Sequence, residues 1–339
     1  MARFRFNARR ALIGAMVGVA ALTASISGQT NATDTRPAMT ENWKTPRTPW
    51  GHADLQGMYT TDALGQNVPL QRDPKLGTKV WLTQEEADKR RAERRIAIAF
   101  GAPGDTGNYG TEWRDTERAK PSRQSSLLID PPDGRLPPLT AEGQKRLAAR
   151  PDPKLRPNGP EDFDDPWDRC ITRGMPGVMM PNGYANGLQI VQGQGSVTLF
   201  YEMIHEVRFV PLDGRPHVHK NIRQWWGDAR GRWEGDTLVV ETTNFNAKNS
   251  FNGSSENMRL VERFLRTGPN TIDYRFTVED PTIWTKPFTA LIPLQADRGQ
   301  HSYELWEYAC HEGNYSMANM LSAARADERA EAAAKRQQK

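Results

Sequence analysis

Three of the chain's six histidines, His205, His217 and His219, fall between Met203 and Trp233, beside Arg208, Arg215, Arg223, Arg230, Arg232, Trp225, Trp226 and Trp233. A purely structural β-meander would not need that density of imidazole, guanidinium and indole, so chemistry is expected here. Side chains alternate across a strand, and the phases sort the candidates. His205 shares a face with Val207 and Phe209, while Glu206 and Arg208 take the other. Glu262 shares a face with Leu260 and Phe264, and Glu304 with Trp306 and Tyr308. An ionisable group on an otherwise apolar face points into a core, where desolvation raises a carboxyl's pKa and suits it to general-acid work with a histidine as partner base. On that reasoning His205, His217, Glu262 and His311 are the catalytic candidates, with His205 facing inward and His217 at a rim. Arg208, Arg223, Trp225 and Glu304 are the substrate-binding candidates for an anionic, polyhydroxylated or aromatic molecule. Pairing with nearby arginines accounts for the same carboxylates without any function, and core filling for the same tryptophans.

The His217-Val218-His219 spacing sets two imidazoles on one face of a strand, and three histidines with a carboxylate suit zinc. Pro216 and the Asp213-Gly214 turn suit a loop at His217 as well as a strand, and the primary expectation is no metal and no cofactor, with zinc as the alternative. Cys170 and Cys310 are the only cysteines. A disulfide between them would close a loop of about 140 residues and contribute up to ~5 kcal/mol in the chain-entropy description. Two free thiols are one alternative. Cys310 as a nucleophile beside His311 and Glu312 is another, disfavoured because sequence neighbours in a strand face opposite ways. The chain has no Gly-rich phosphate loop, no Gly-x-Ser-x-Gly elbow, no Cys-x-x-Cys and no His-Glu-x-x-His. Nucleotide enzymes, serine hydrolases of the usual type, haem proteins and thermolysin-like proteases are therefore not expected.

The elements that must position these groups are mainly strands. Leu188 to Gln192, Ser196 to Met203, His205 to Pro211, Asn221 to Trp226, Thr237 to Thr243, Met258 to Arg266, Thr271 to Val278, Lys286 to Leu294 and Ser302 to Ala309 read as strands. Tight turns such as Asp213-Gly214 and Gly268-Pro269-Asn270 join them. So many short antiparallel strands tend to close, which removes exposed edges. The fold class expected is a mainly β antiparallel meander closing into a lipocalin-like barrel, with an N-terminal irregular and helical wrap and a C-terminal helix.

Around the barrel, residues 1–32 read as an export signal: Arg3, Arg5, Arg9 and Arg10 precede an apolar run from Ala11 to Ala24, with cleavage after Ala32. Arg9-Arg10 leaves a twin-arginine route and the general secretory route both open. Residues 33–53 form an extended arm. Residues 54–168 hold a first strand at Gly57-Met58-Tyr59, a helix capped by Thr83 and Glu86, a shorter helix from Thr140 to Arg150 weakened by Gly143, and a Pro-rich wrap. Residues 169–316 are the main barrel and 317–339 a C-terminal helix or tail. The formal charge of +4 disappears when the four N-terminal arginines are set aside, 45 − 4 = 41 basic against 41 acidic residues. No nucleic-acid partner and no stable membrane span after signal removal are expected. Periplasmic or secreted localisation follows.

The segments PWGHADLQGMYT, DRCITRGMPG, MIHEVRFVPLDGRPH, GRWEGDTLVVETTNFN and YACHEGNY resemble a family of exported bacterial lipocalin-like barrel proteins, and the likeness spans residues 42 to 325. The resemblance implies the barrel and histidines at positions 205, 217 and 311, but not reliably at 219. The family usually carries Trp where Tyr59 stands. It implies no reaction. The functional expectation is an exported small-molecule-binding barrel acting as a lyase, isomerase or hydrolase through His and Glu without a nucleotide cofactor. The alternative is a non-catalytic carrier of a small apolar or aromatic ligand.

Overall fold

A computed structural model describes residues 43–62, 64, 68–100, 122–149, 159, 166–167, 169–248, 251–296 and 304–337. The expected export signal, the start of the arm and most of the Pro-rich stretch lie outside the described residues.

Strands β1 (Gly57–Thr60), β2 (Leu128–Asp130), β3 (Gly187–Gln192), β4 (Ser196–Tyr201) and β5 (Val207–Pro211) are joined by β6 (Asp228–Glu234), β7 (Thr237–Thr243), β8 (Arg259–Gly268), β9 (Thr271–Glu279) and β10 (Phe288–Gln295). They build one ten-stranded sheet in the order β5-β4-β3-β1-β10-β9-β8-β7-β6, with β2 on the side of β10. All strand pairings are antiparallel. β-branched and aromatic residues at alternate positions explain why these runs are strands and which face they bury. In β8 the buried side chains are Leu260, Glu262, Phe264 and Arg266, and in β9 they include Ile272, Tyr274, Phe276 and Val278.

The sheet curls so that β5 and β6, its two ends, lie side by side, but no ladder joins them. The approach is close because β6 carries Gly231 at the contact. A Cβ there would stand 2.8 Å from Val210 Cγ1 and 2.6 Å from Leu212 Cδ2.

Among the described residues three α-helices accompany the sheet: α1 (Gln84–Phe100), α2 (Ala141–Ala148) and α3 (Ser316–Gln337). Helix α1 opens on a capping box, Glu86 N–H donating to Thr83 Oγ1 at 3.2 Å and Thr83 N–H to Glu86 Oε2 at 2.7 Å. Thr140 caps α2 by accepting from Gly143 N–H at 3.0 Å. No described helix is long and apolar enough to cross a membrane.

Three expected strands differ. Asn221 to Trp226 is a loop, tied by a parallel bridge between Gln224 and Phe245. Asn244 Nδ2 ties the stretch 218–222 together, donating to the Val218, His219 and Ile222 carbonyls at 3.1 to 3.2 Å, and the Gln224 carbonyl accepts from Asn246 N–H at 2.8 Å. The described part of Ser302 to Ala309, residues 304–309, is an irregular strap. The run expected as one strand from His205 begins only at Val207, because Met203–His205 is a 3-10 turn. Within the Pro-rich stretch, Leu128–Asp130 is a strand on β10 rather than a loose wrap.

Candidate functional site

The buried face of β5 carries Glu206 just before it and Arg208 within it, 5% and 3% exposed. Their outward neighbours Val207 and Phe209 are 57% and 63% exposed. The expected orientation of this segment is therefore reversed: His205 lies outside with the two apolar residues, and the charged pair lies inside. Alternation gives the phase of a strand but not which phase faces the core, and the apolar majority pointed the wrong way.

Arg208 spans the interior from β5 to the far side of the β5/β6 seam. Its Nη2 donates to Glu262 Oε2 at 2.7 Å and to Thr242 Oγ1 at 2.9 Å. Its Nη1 donates to Glu262 Oε1 and to the Tyr201 hydroxyl, each at 3.1 Å, and meets Met175 Sδ at 3.6 Å. Tyr274 donates its hydroxyl to Glu262 Oε1 at 2.9 Å. Glu262 is wholly buried, and its partner arrives bidentately, the strong form of this pairing. Burial opposes the Arg208 charge, but the Glu262 charge and hydrogen bonds outweigh it and hold the guanidinium pKa above its ordinary value. Burial pushes both tyrosine hydroxyls up as well. Trp226 stacks on Tyr201 with centroids 6.0 Å apart, closing this corner with an aromatic wall.

Glu206 is served differently. Its Oε1 accepts from Arg173 N–H at 3.1 Å, while Oε2 has no hydrogen-bond partner of normal geometry among the described residues. The Nε of neighbouring Arg208 is likewise buried without a partner among them. Burial raises the Glu206 carboxyl to about 8, against the pull of Thr172, the Arg173 amide and the charges of Arg208 and Arg173. At neutral pH it is largely protonated and able to give a proton.

The other sequence candidates are spread over the surface. His217 is half-buried and outside the sheet; its Nδ1 lies 2.8 Å from Asp228 Oδ2 and its Nε2 3.6 Å from Glu241 Oε1. Asp228 Oδ2 also accepts from Val218 N–H at 3.1 Å, so this pair anchors the loop before β6. Arg223 is exposed and donates to the Glu256 carbonyl, and Trp225 is half-buried in the same loop. His311 and Glu304 are both exposed on the strap. His205 Nε2 accepts from Tyr308 N–H at 2.7 Å. Of the candidates, only Arg208 and Glu262 are brought together inside. Among the described residues no group of three or more His, Cys, Asp or Glu side chains is placed to hold a metal. Cys170 and Cys310 are bridged, with Cα atoms 5.9 Å apart, within the usual range for a disulfide.

Glu206, Tyr201, Tyr274, Thr242 and Asp228 were not singled out from the sequence. The usable signal for Glu206 was its shared phase with Arg208, which had to find a carboxylate on a facing strand. No family model, no curated protein and no solved structure matches the chain.

Proposed function

We infer that the chain is an exported small-molecule-binding protein whose sheet acts as a lipocalin-like barrel, and that it is an acid/base enzyme with Glu206 as proton donor. The observation that carries this reading is the buried Glu206 carboxyl, raised to about 8, with an oxygen unpartnered among the described residues on the strand face that also carries Arg208, whose Nε is likewise unpartnered among them. Side chains two apart on a strand share a face, so a small polar group bound there would meet both donors. Arg208 Nε–H would hold an oxygen on which negative charge develops, while Glu206 protonates a neighbouring atom. Glu262, Tyr201, Tyr274 and Thr242 fix the guanidinium in place. This suits a lyase, isomerase or hydrolase. Export is supported by the basic and apolar N-terminal pattern together with the disulfide.

The test is turnover of a broad panel of small metabolites by the purified protein, by Glu206→Gln and by His205→Ala and His217→Ala, followed by mass spectrometry. Conversion by the wild type that falls about a hundredfold or more in Glu206→Gln but persists in both histidine variants is the expected result. Conversion unchanged in Glu206→Gln removes it from the mechanism. Binding without conversion establishes the carrier instead.

A further inference from the structure

We propose that the Cys170–Cys310 disulfide is a redox latch, holding the 304–315 strap and the 170–175 segment over the end of the sheet where Glu206 lies. The proposal concerns access to Glu206 and stands whether or not this carboxyl is the proton donor.

Two layers cover the carboxyl. The inner one is the segment running on from Cys170: Arg173 N–H donates to Glu206 Oε1, and fully buried Met175 lies against Arg208. The outer one is the strap, which belongs to no ladder and leaves Trp306 71% exposed. Among the described residues it is attached at separate points, one of them Asn314 Nδ2 on Cys170 Sγ at 3.6 Å. Trp306 N–H donates to Glu202 Oε1 at 3.3 Å, Tyr308 N–H to His205 Nε2 at 2.7 Å, and the Tyr308 ring stacks on Tyr184 at 6.4 Å. The disulfide is the one covalent tie, and it joins the outer layer directly to the inner one.

The strap also lands on a strained turn. Ile204 and His205 both have left-handed backbone, φ 58° and 53°, immediately before Glu206. A β-branched residue in that region is an outlier, so its surroundings must over-determine it. Beside its own backbone bonds, Tyr201 N–H to the Glu206 carbonyl and His205 N–H to the Glu202 carbonyl, the turn is clamped by the Glu202 side chain, which accepts from Gly187 N–H as well as from the strap, and by Tyr308 N–H on His205. Releasing the strap removes one clamp and weakens the other. The turn can then relax and carry Glu206 toward solvent.

The chemistry balances with a dithiol reductant. Two electrons and two protons pass to the protein, the S–S bond breaks, Cys170 and Cys310 become thiols, and the dithiol leaves as its own disulfide.

Hydrogen–deuterium exchange of the full chain tests the latch, comparing the oxidised protein with protein reduced by dithiothreitol and blocked with iodoacetamide. We expect exchange in peptides covering 170–176 and 304–312 to rise about tenfold or more, with β8 and β9 unchanged. Cys310→Ser should reproduce this without reagents, and the reduced wild type keeps the test valid if that variant fails to fold. Unchanged exchange over 170–176 overturns the proposal. A rise that extends through β8 and β9 also overturns it, because the disulfide would then hold the whole fold.

Discussion

Glu206 and Glu262 are both buried carboxyls on inward faces, and their partners separate them. Glu262 receives two hydrogen bonds from Arg208 and one from Tyr274, a nearly complete set for a carboxylate. For Glu206 burial outweighs the pull of the Thr172 hydroxyl, the Arg173 amide and the nearby Arg208 and Arg173 charges, and raises its pKa to about 8. The sign of its contribution to stability follows. The unfolded carboxyl titrates near 4.3, so between about pH 4.3 and 8 the folded state binds the extra proton. Stability from this group is fully present below the unfolded pKa, falls as pH rises through this window and levels off above 8. Glu206→Gln should flatten that fall and be more stable than the wild type at pH 8 and above. Urea unfolding of both proteins across the window checks it, and parallel pH profiles would show that the carboxyl is not protonated in the fold. At this scale the sequence made Glu262 legible as an inward ionisable group, whereas it set Arg208 on the outer face with Glu206. It misled on His205, because Val207 and Phe209 are apolar residues on an outer surface and nothing local to the strand says so.

Local rules worked best for elements whose partners are close in sequence. Both helix starts were legible because a cap is a local hydrogen bond, Thr83 with Glu86 and Thr140 with Gly143. The β8–β9 hairpin was legible for the same reason. The 221–226 loop was not, since it is held by Asn244 and Asn246, through the Asn244 side chain on the Ile222 carbonyl and backbone bonds at Gln224, partners that no periodicity announces. Gly143 shows local and tertiary terms in opposition. Helix propensity alone says that Gly143→Ala should stabilise α2 by about 0.8–1.0 kcal/mol. A Cβ at this position would stand 2.5 Å from the backbone oxygen of Ile283, which has little freedom to move. The same loop is tied to the helix start by Thr140 Oγ1 donating to the Thr282 carbonyl at 2.6 Å. Packing therefore wins, and Gly143→Ala should destabilise by about 1–3 kcal/mol, read as a lower urea midpoint at unchanged slope. A stabilised variant would mean that α2 does not rest on the 280–285 loop.

The whole molecule depends on how its sheet ends meet. An unpaired strand edge invites association, and the usual remedy is a closed ladder. Here β5 and β6 share none, and the seam is spanned instead by a side chain: Arg208 reaches from β5 past β6 to Thr242 on β7 and Glu262 on β8. The antiparallel, mainly β character was legible from strand spacing, whereas the placing of β1 between β3 and β10 and the bridging of the seam by one arginine were not, the latter because it depends on residues 54 positions apart meeting in the interior. Two consequences of removing that arginine can be told apart. Arg208→Met leaves Glu262 buried without its counter-charge and should cost about 3–5 kcal/mol. Adding Glu262→Leu removes the stranded charge, and apolar replacement of a buried ion pair is often close to neutral, so most of the lost stability should return. The tie across the seam does not return with it. Hydrogen exchange in β5 should therefore remain faster than in the wild type even in the stable double variant, while β8 and β9 recover their protection. If β5 recovers as fully as β8 and β9, the contact of Gly231 with Val210 and Leu212 is enough to hold the ends together, and Arg208 serves only to neutralise Glu262.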